Sequence, residues 1–142
     1  MYEALTNLIG KLDAACPGKW MHEEGHAGTR EDPIPMPWIK YDESVHELIN
    51  KIYRFVDEHE ELNLRHYEDV LAKKGIKWDL TSMKAAPVSE LDGTTIMALL
   101  VGIVRAERFC DGIILEVVED GTVVKWLRRL KELDMIWKFE QV

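Results

Sequence analysis

Cysteine is nearly missing from this chain. The two residues present, Cys16 and Cys110, stand far apart and form no Cys-x-x-Cys pair. That excludes a disulfide framework and a thiolate metal cage, and the two read as reduced thiols. Cys110 is expected to be a buried one, because a helix C-terminus, where it falls, disfavours a reactive thiolate. Long apolar runs are missing too. The longest, Ile96 to Val104, has nine residues, half of what a bilayer-spanning helix needs. Basic residues are outnumbered, 18 Lys and Arg against 26 Asp and Glu, for a net charge of −8. This argues against broad affinity for nucleic acid or anionic lipid, though not against a local basic patch. The chain opens Tyr2-Glu3 rather than with a basic stretch before an apolar one, so no secretory signal is expected and a cytoplasmic location is. Neither a Ser-His-Asp order nor a glycine-rich phosphate loop with lysine can be read.

What is present is the material of one globular domain. A chain of 142 residues, 46% hydrophobic and 31% charged, can bury roughly 70% of its unfolded surface without metal or disulfide staples. Residues 1–142 are therefore taken as a single domain. Its organising element is Ile96–Val104, apolar on every side, which belongs in the interior as the middle of a helix over about 94–109. Asp92 can cap that helix.

Around it, Tyr2 to Ala15 reads as a helix with Leu5, Leu8, Ile9 and Leu12 on one face, ended by Cys16-Pro17-Gly18. Residues 19–37 show no periodicity. Pro33, Pro35 and Pro37 force extended backbone, making a long irregular loop suited to a partner. Trp38 to Tyr41 alternates like a short strand. Ser44 and Glu47 have capping-box spacing before an amphipathic helix with Val45, Leu48, Ile49, Ile52, Tyr53 and Val56 on one face. Asn63 is placed to cap a helix over Leu64–Lys74 that Gly75 closes, and Lys84 to Pro87 reads as linker. Residues 113–124 fit two structures. Asp120-Gly121 between β-branched runs suggests a hairpin; the competing reading is a short helix, a break at Gly121 and a new helix from an N-cap at Thr122, whose face Val123, Trp126, Leu127, Leu130 and Leu133 match, which leaves the segment before Gly121 as the ambiguous part. Met135 to Val142 is apolar enough to dock on the body as an edge strand or last turn.

The block Arg105-Ala106-Glu107-Arg108-Phe109-Cys110-Asp111-Gly112, then Gly121, then Trp126-Leu127-Arg128-Arg129-Leu130, resembles a family of small bacterial proteins known only as a domain of unknown function. There an Arg-x-x-Arg-Phe-x-x-Gly ends a buried helix, and a glycine precedes an aliphatic helix carrying Arg-Leu. Met36-Pro37-Trp38-Ile39-Lys40-Tyr41 is similar to the family's Met-Pro-Tyr-x-x-Tyr, departing at Trp38. The resemblance spans roughly residues 34 to 134. Relatives are rich in Ala and Leu opposite Ile113 to Val118, which implies helix over hairpin there. It implies no substrate, cofactor or catalytic residue.

Four groups of residues could carry chemistry. His22-Glu23-Glu24-Gly25-His26 has the letters of the zinc motif H-E-x-x-H, but a glycine and flanking prolines deny it the helix that brings both histidines to one metal. His22 and His26 remain weak metal candidates, and no metal site is assigned. His59 and His66, among acidic residues, read as a solvated connection. Lys125, Arg128 and Arg129 share a face that mimics a DNA-recognition helix over 122–133, against an acidic surrounding. Arg105 and Arg108, with Glu107 and Asp111, either clamp a carboxylate or phosphate or are spent on internal carboxylates at a helix end; the second is favoured.

The expectation is thus a mainly α, single compact multi-helix domain with at most a minor β element. Its function is read as a protein-interaction or regulatory module without catalysis, using Trp38 and Tyr41. The alternative is a small-molecule-anion-binding domain or enzyme using Arg105 and Arg108, and a lesser one is nucleic-acid binding. No cofactor is called for. A protein partner or a homodimer fits; nucleic acid and membrane are disfavoured.

Overall fold

Asp92 accepts a hydrogen bond from the Thr95 amide at 2.9 Å and starts α6 (Gly93–Ala106), the helix on which the others pack. The fold is mainly helical, as the sequence suggests. The structure is a computed structural model; it describes residues 1–14 and 16–140, with the side chains of 138–140 outside the description. Every residue from Thr95 to Val104 is buried. Burying apolar surface on all sides of one helix needs neighbours on all sides. They are α3 (Glu43–Glu58), α4 (Tyr67–Ala72), α7 (Ile113–Glu119) and α8 (Thr122–Glu140). The N-terminal α1 (Glu3–Thr6) and α2 (Ile9–Ala14) pack on α8 and α3. No helix among the described residues is long and apolar enough to cross a membrane.

Two glycines of α6 admit close neighbours. A Cβ at Gly93 would collide with the Tyr2 hydroxyl. At Gly102 it would sit 3.2 Å from Met83 Sδ and 3.4 Å from Trp78 Cδ1. Trp78 Nε1 donates to the Gly102 carbonyl at 3.0 Å, so the indole seals that side of the helix. Trp126 is fully buried with no partner for Nε1 among the described residues, so its packing must outweigh a desolvation cost of about 1–3 kcal/mol.

Several local expectations change. The N-terminal helix is broken at Asn7–Leu8 into α1 and α2, and Ala15, its expected end, lies outside the described residues. The loop expected over 19–37 gives up its start to β1 (Gly18–Met21), which pairs antiparallel with β2 (Trp38–Tyr41), Trp20 opposite Ile39. A hairpin with so long a connection has no local turn signal to betray it. α3 starts one residue before the expected capping serine: Asp42 accepts from the Ser44 amide at 3.1 Å and hydroxyl at 2.6 Å, while Glu47 turns to Lys11 and Lys51. Asn63 makes no cap; it takes a left-handed conformation (φ 57°) between two 3₁₀ turns, and α4 begins only at Tyr67. Leu80–Lys84 forms a further short helix, α5, capped by Asp79. Gly121 (φ 85°) separates α7 from α8, so 113–124 is helical, and Asp120 rather than Thr122 supplies the capping carboxylate, at 3.0 Å from the Thr122 amide. The C-terminal piece, expected as an edge strand or a last turn docked on the body, is the continuation of α8 to Glu140. Met135, Ile136 and Trp137 are exposed on it instead of docked, and residues 141–142 lie outside the described residues.

Candidate functional site

The end of α6 is where packing and exposure meet. The helix stops at Ala106 and a tight turn carries the chain to Gly112, whose φ of 100° favours glycine. A Cβ there would also lie 3.1 Å from the Trp20 ring and 3.5 Å from Ile39, so Gly112 lets the hairpin lie directly on the turn. Glu107 holds the same point from inside. Its two carboxylate oxygens accept from the Gly112 amide at 2.9 Å and the Ile114 amide at 2.8 Å, satisfying orphan donors at the start of α7. A negative charge at a helix N-terminus is favoured in addition. Tyr41 closes the clasp. Its hydroxyl accepts from the Leu115 amide at 3.3 Å and lies within reach of Glu107. Burial first, and then the neighbouring Glu107 carboxylate, push the Tyr41 phenol well above its ordinary range, so it stays a neutral hydroxyl. Tyr41, Glu107 and Gly112 are thus three parts of one joint among β2, α6 and α7.

With one side of the turn clamped, the other faces outward. Phe109 is 82% exposed, touching only the edge of Trp78 among described aromatic partners, at 6.2 Å between ring centroids. Trp78 meets Tyr67 edge-on at 5.3 Å. Between Trp78, α5 and the turn lies an open groove of about 310 Å³, lined by Trp78, Leu80, Met83, Ala106, Phe109 and Ile113, with Asp79 and Cys110 completing its border. Cys110 is exposed, which corrects the expectation of a buried thiol; the chain has left the helix before reaching it.

Arg105 and Arg108 are the chain neighbours of the groove residues Ala106 and Phe109, Arg105 in the last turn of α6 and Arg108 in the turn that follows it. Neither guanidinium forms an ion pair or hydrogen bond among the described residues. The Arg105 guanidinium sits over the Tyr53 ring, 5.9 Å from its centroid, a cation–π contact. It is also near enough to oppose the rise that burial imposes on the Tyr67 phenol. Arg108 is exposed, as is Asp111. The carboxylate that the sequence placed beside these arginines, Glu107, is committed to backbone amides instead. Guanidinium capacity at this helix end is therefore unspent, against the expectation that internal carboxylates consume it.

The comparison with protein families falls on the same residues. A model of a family of unknown function (DUF6508) matches residues 1–135, which takes in the clasp and the groove. The chain belongs to that family. No curated protein and no solved structure matches it. In this DUF6508 member the resemblance noticed from Tyr41 and the Arg105–Gly112 block acquires a physical meaning, since both strings end in the same clasp.

The other sequence candidates lie elsewhere. His22 and His26 stand on a loop and do not converge: His22 faces Glu24 at 3.4 Å, while His26 is held by Asp32 at 2.7 Å and Glu23 at 2.9 Å. His59 stacks on Phe55 with ring centroids 4.0 Å apart, its Nδ1 3.0 Å from the Phe55 carbonyl oxygen. No group of three or more His, Cys, Asp or Glu among the described residues is arranged to hold a metal ion. Trp38 is 44% exposed on the hairpin, so of the two aromatic residues singled out there Trp38 faces out and Tyr41 faces the clasp. Sequence reasoning missed Trp78, Leu80 and Met83. The alternation over Ile76–Leu80 is too short to mark a site, and only the docking of α5 against Gly102 assembles these residues into a wall.

Proposed function

We propose that this domain is a protein-interaction module whose docking surface is the Trp78–Phe109 groove with Arg105 and Arg108 at its edge. The observation that carries the reading is Phe109, a large aromatic left 82% exposed beside an apolar groove by a turn that is rigidly clamped behind it. Solvating such a side chain forgoes about 1.5–3 kcal/mol that burial would return, and exposed apolar surface of this kind marks interaction sites. Two uncommitted guanidiniums select the occupant by charge: a partner segment with a large apolar side chain close to Asp or Glu. Aromatic and arginine residues together are the composition of binding hot spots.

The test is selection of a displayed random-peptide library on the immobilised protein. Enriched peptides should place Phe, Leu or Trp within a few residues of Asp or Glu. Phe109→Ser should weaken their binding about tenfold or more without lowering Tm, because the side chain packs on little. Arg105→Ala and Arg108→Ala should weaken acidic peptides selectively. Peptides binding Phe109→Ser as tightly as wild type would refute the reading. So would concentration-dependent dimerisation abolished by Phe109→Ser, which would give the groove to a second copy. Metabolite anions that stabilise wild type but not Arg108→Ala would favour the small-ligand alternative.

A further inference from the structure

A second concavity lies on the basic face of α8, sharing no residue with the groove. It has a volume of about 260 Å³ and is lined by Val88, Ser89, Lys125, Arg128, Arg129 and Glu132. Three cations at i, i+3 and i+4 repel one another on a helix face unless something neutral or negative intervenes. Here the neutralisation is incomplete. Arg128 reaches Asp13 at 3.4 Å with both side chains 60% exposed, a weak surface pair. The Lys125 ammonium has no ion-pair or hydrogen-bond partner among the described residues, and neither does the Ser89 hydroxyl. Arg129 is different: only 18% of its side chain is exposed, and it is pinned by Nε donating to the Leu91 carbonyl at 3.2 Å and Nη1 to Glu132 at 3.3 Å. A guanidinium carries five N–H donors, so three remain on a group whose position is already fixed.

We infer that this concavity binds the phosphate group of a small phosphorylated molecule. Arg129 supplies preorganised donors, Lys125 a mobile point charge, Ser89 a neutral donor, and buried Val88 an apolar floor. Planar guanidinium donors match phosphate oxygens in pairs, and an ammonium adds charge without demanding geometry. The volume falls just below the ~300 Å³ at which pockets for drug-sized ligands begin, which suits a phosphate and a short attached group. Glu132 limits the total positive charge and keeps Arg129 oriented. The overall charge of −8 works against diffuse anion binding, so an anion held by this protein is held where positive charge is concentrated.

The experiment titrates the purified full chain with inorganic phosphate and pyrophosphate, each against chloride at equal ionic strength, followed by thermal shift and by backbone amide NMR shifts. Phosphate or pyrophosphate should raise Tm beyond the chloride control and move the Ser89 and Lys125 amides together. Lys125→Ala and Ser89→Ala should each weaken the apparent affinity about fivefold or more while leaving the ligand-free Tm unchanged, since neither side chain has a partner to lose. Absence of a shift beyond chloride, or an equal shift in Lys125→Ala, overturns the inference. A third arm uses single-stranded and duplex oligonucleotides of increasing length. Affinity that grows with length and far exceeds that for pyrophosphate also overturns it, since this face would then be a nucleic-acid surface.

Discussion

Replacing Glu107 tests the joint on which the candidate groove depends. In Glu107→Ala two charge-assisted hydrogen bonds to backbone amides disappear, at 2.8 and 2.9 Å. Bonds of that kind contribute about 1.5–3 kcal/mol each, but water can reach part of the turn and satisfy one amide in their place. The favourable charge at the start of α7 adds about 0.3–1 kcal/mol. The loss should therefore be about 3 kcal/mol. For a domain of this size each kcal/mol shifts Tm by about 2–4 °C, so a fall of about 6–12 °C is expected. Glu107→Gln keeps one acceptor but turns an NH₂ toward an amide N–H, and should cost about half as much. Tyr41→Phe removes the hydroxyl that receives the Leu115 amide, and its cost should be less than additive with Glu107→Ala because the two share one joint. Urea unfolding followed by far-ultraviolet circular dichroism measures all three, with an unchanged m-value as the control for a two-state comparison. A Glu107→Ala protein within about 0.5 kcal/mol of wild type would refute the clasp, as would strict additivity with Tyr41→Phe.

Two other perturbations probe the structure independently. Gly93→Ala drives a methyl into the Tyr2 hydroxyl and to 2.5 Å from the ring carbon Cζ, so it should cost about 1–3 kcal/mol despite alanine's better helix propensity; Tyr2→Phe keeps Cζ and should not restore the loss, and a Gly93→Ala protein as stable as wild type in urea melts would refute the contact. Asp32 first, and then Glu23, raise the His26 imidazole above its ordinary value of 6.5, since both ring nitrogens face carboxylates and only the doubly protonated ring can donate to both. The stabilisation this gives the 22–32 loop is fully present below pH 6.5 and fades as pH rises through the folded-state value. An NMR titration of the ring should place its midpoint above 6.5 in wild type and nearer 6.5 in Asp32→Asn, whereas an unmoved midpoint in the variant would refute the bridge.

Much of the fold follows from short-range signals. An all-apolar stretch after Asp92 reads as a buried helix, and Gly121 marks a turn in either reading of 113–124, because glycine takes a left-handed conformation without strain; helix over hairpin there rested on the family resemblance. The Tyr41 and Arg105–Gly112 strings were recognisable as a unit before any contact was known. Their meaning was not, since Glu107 reads on a helical wheel as one more surface charge paired with arginine. Side chains that serve the backbone of another element leave no periodicity, and competition among several acidic residues for one arginine cannot be resolved by spacing. The same limit hid the β1–β2 pairing, whose sixteen-residue connection, 22–37, separates partners by more than any local turn rule reaches.

By itself, then, the order of residues determined the class of fold, the identity of its central helix and the close at Gly75, all of which depend on interactions within a few residues, while the family resemblance pointed to the helix end before Gly112 and to helix on both sides of Gly121. Tertiary structure alone decided that Glu107 belongs to α7's amides and not to Arg105 or Arg108, that Phe109 and Cys110 face outward, and that Trp78 and α5 complete a groove beside them. Those outcomes depend on which surfaces meet when the helices close on α6. A free guanidinium is defined by the partners it fails to find.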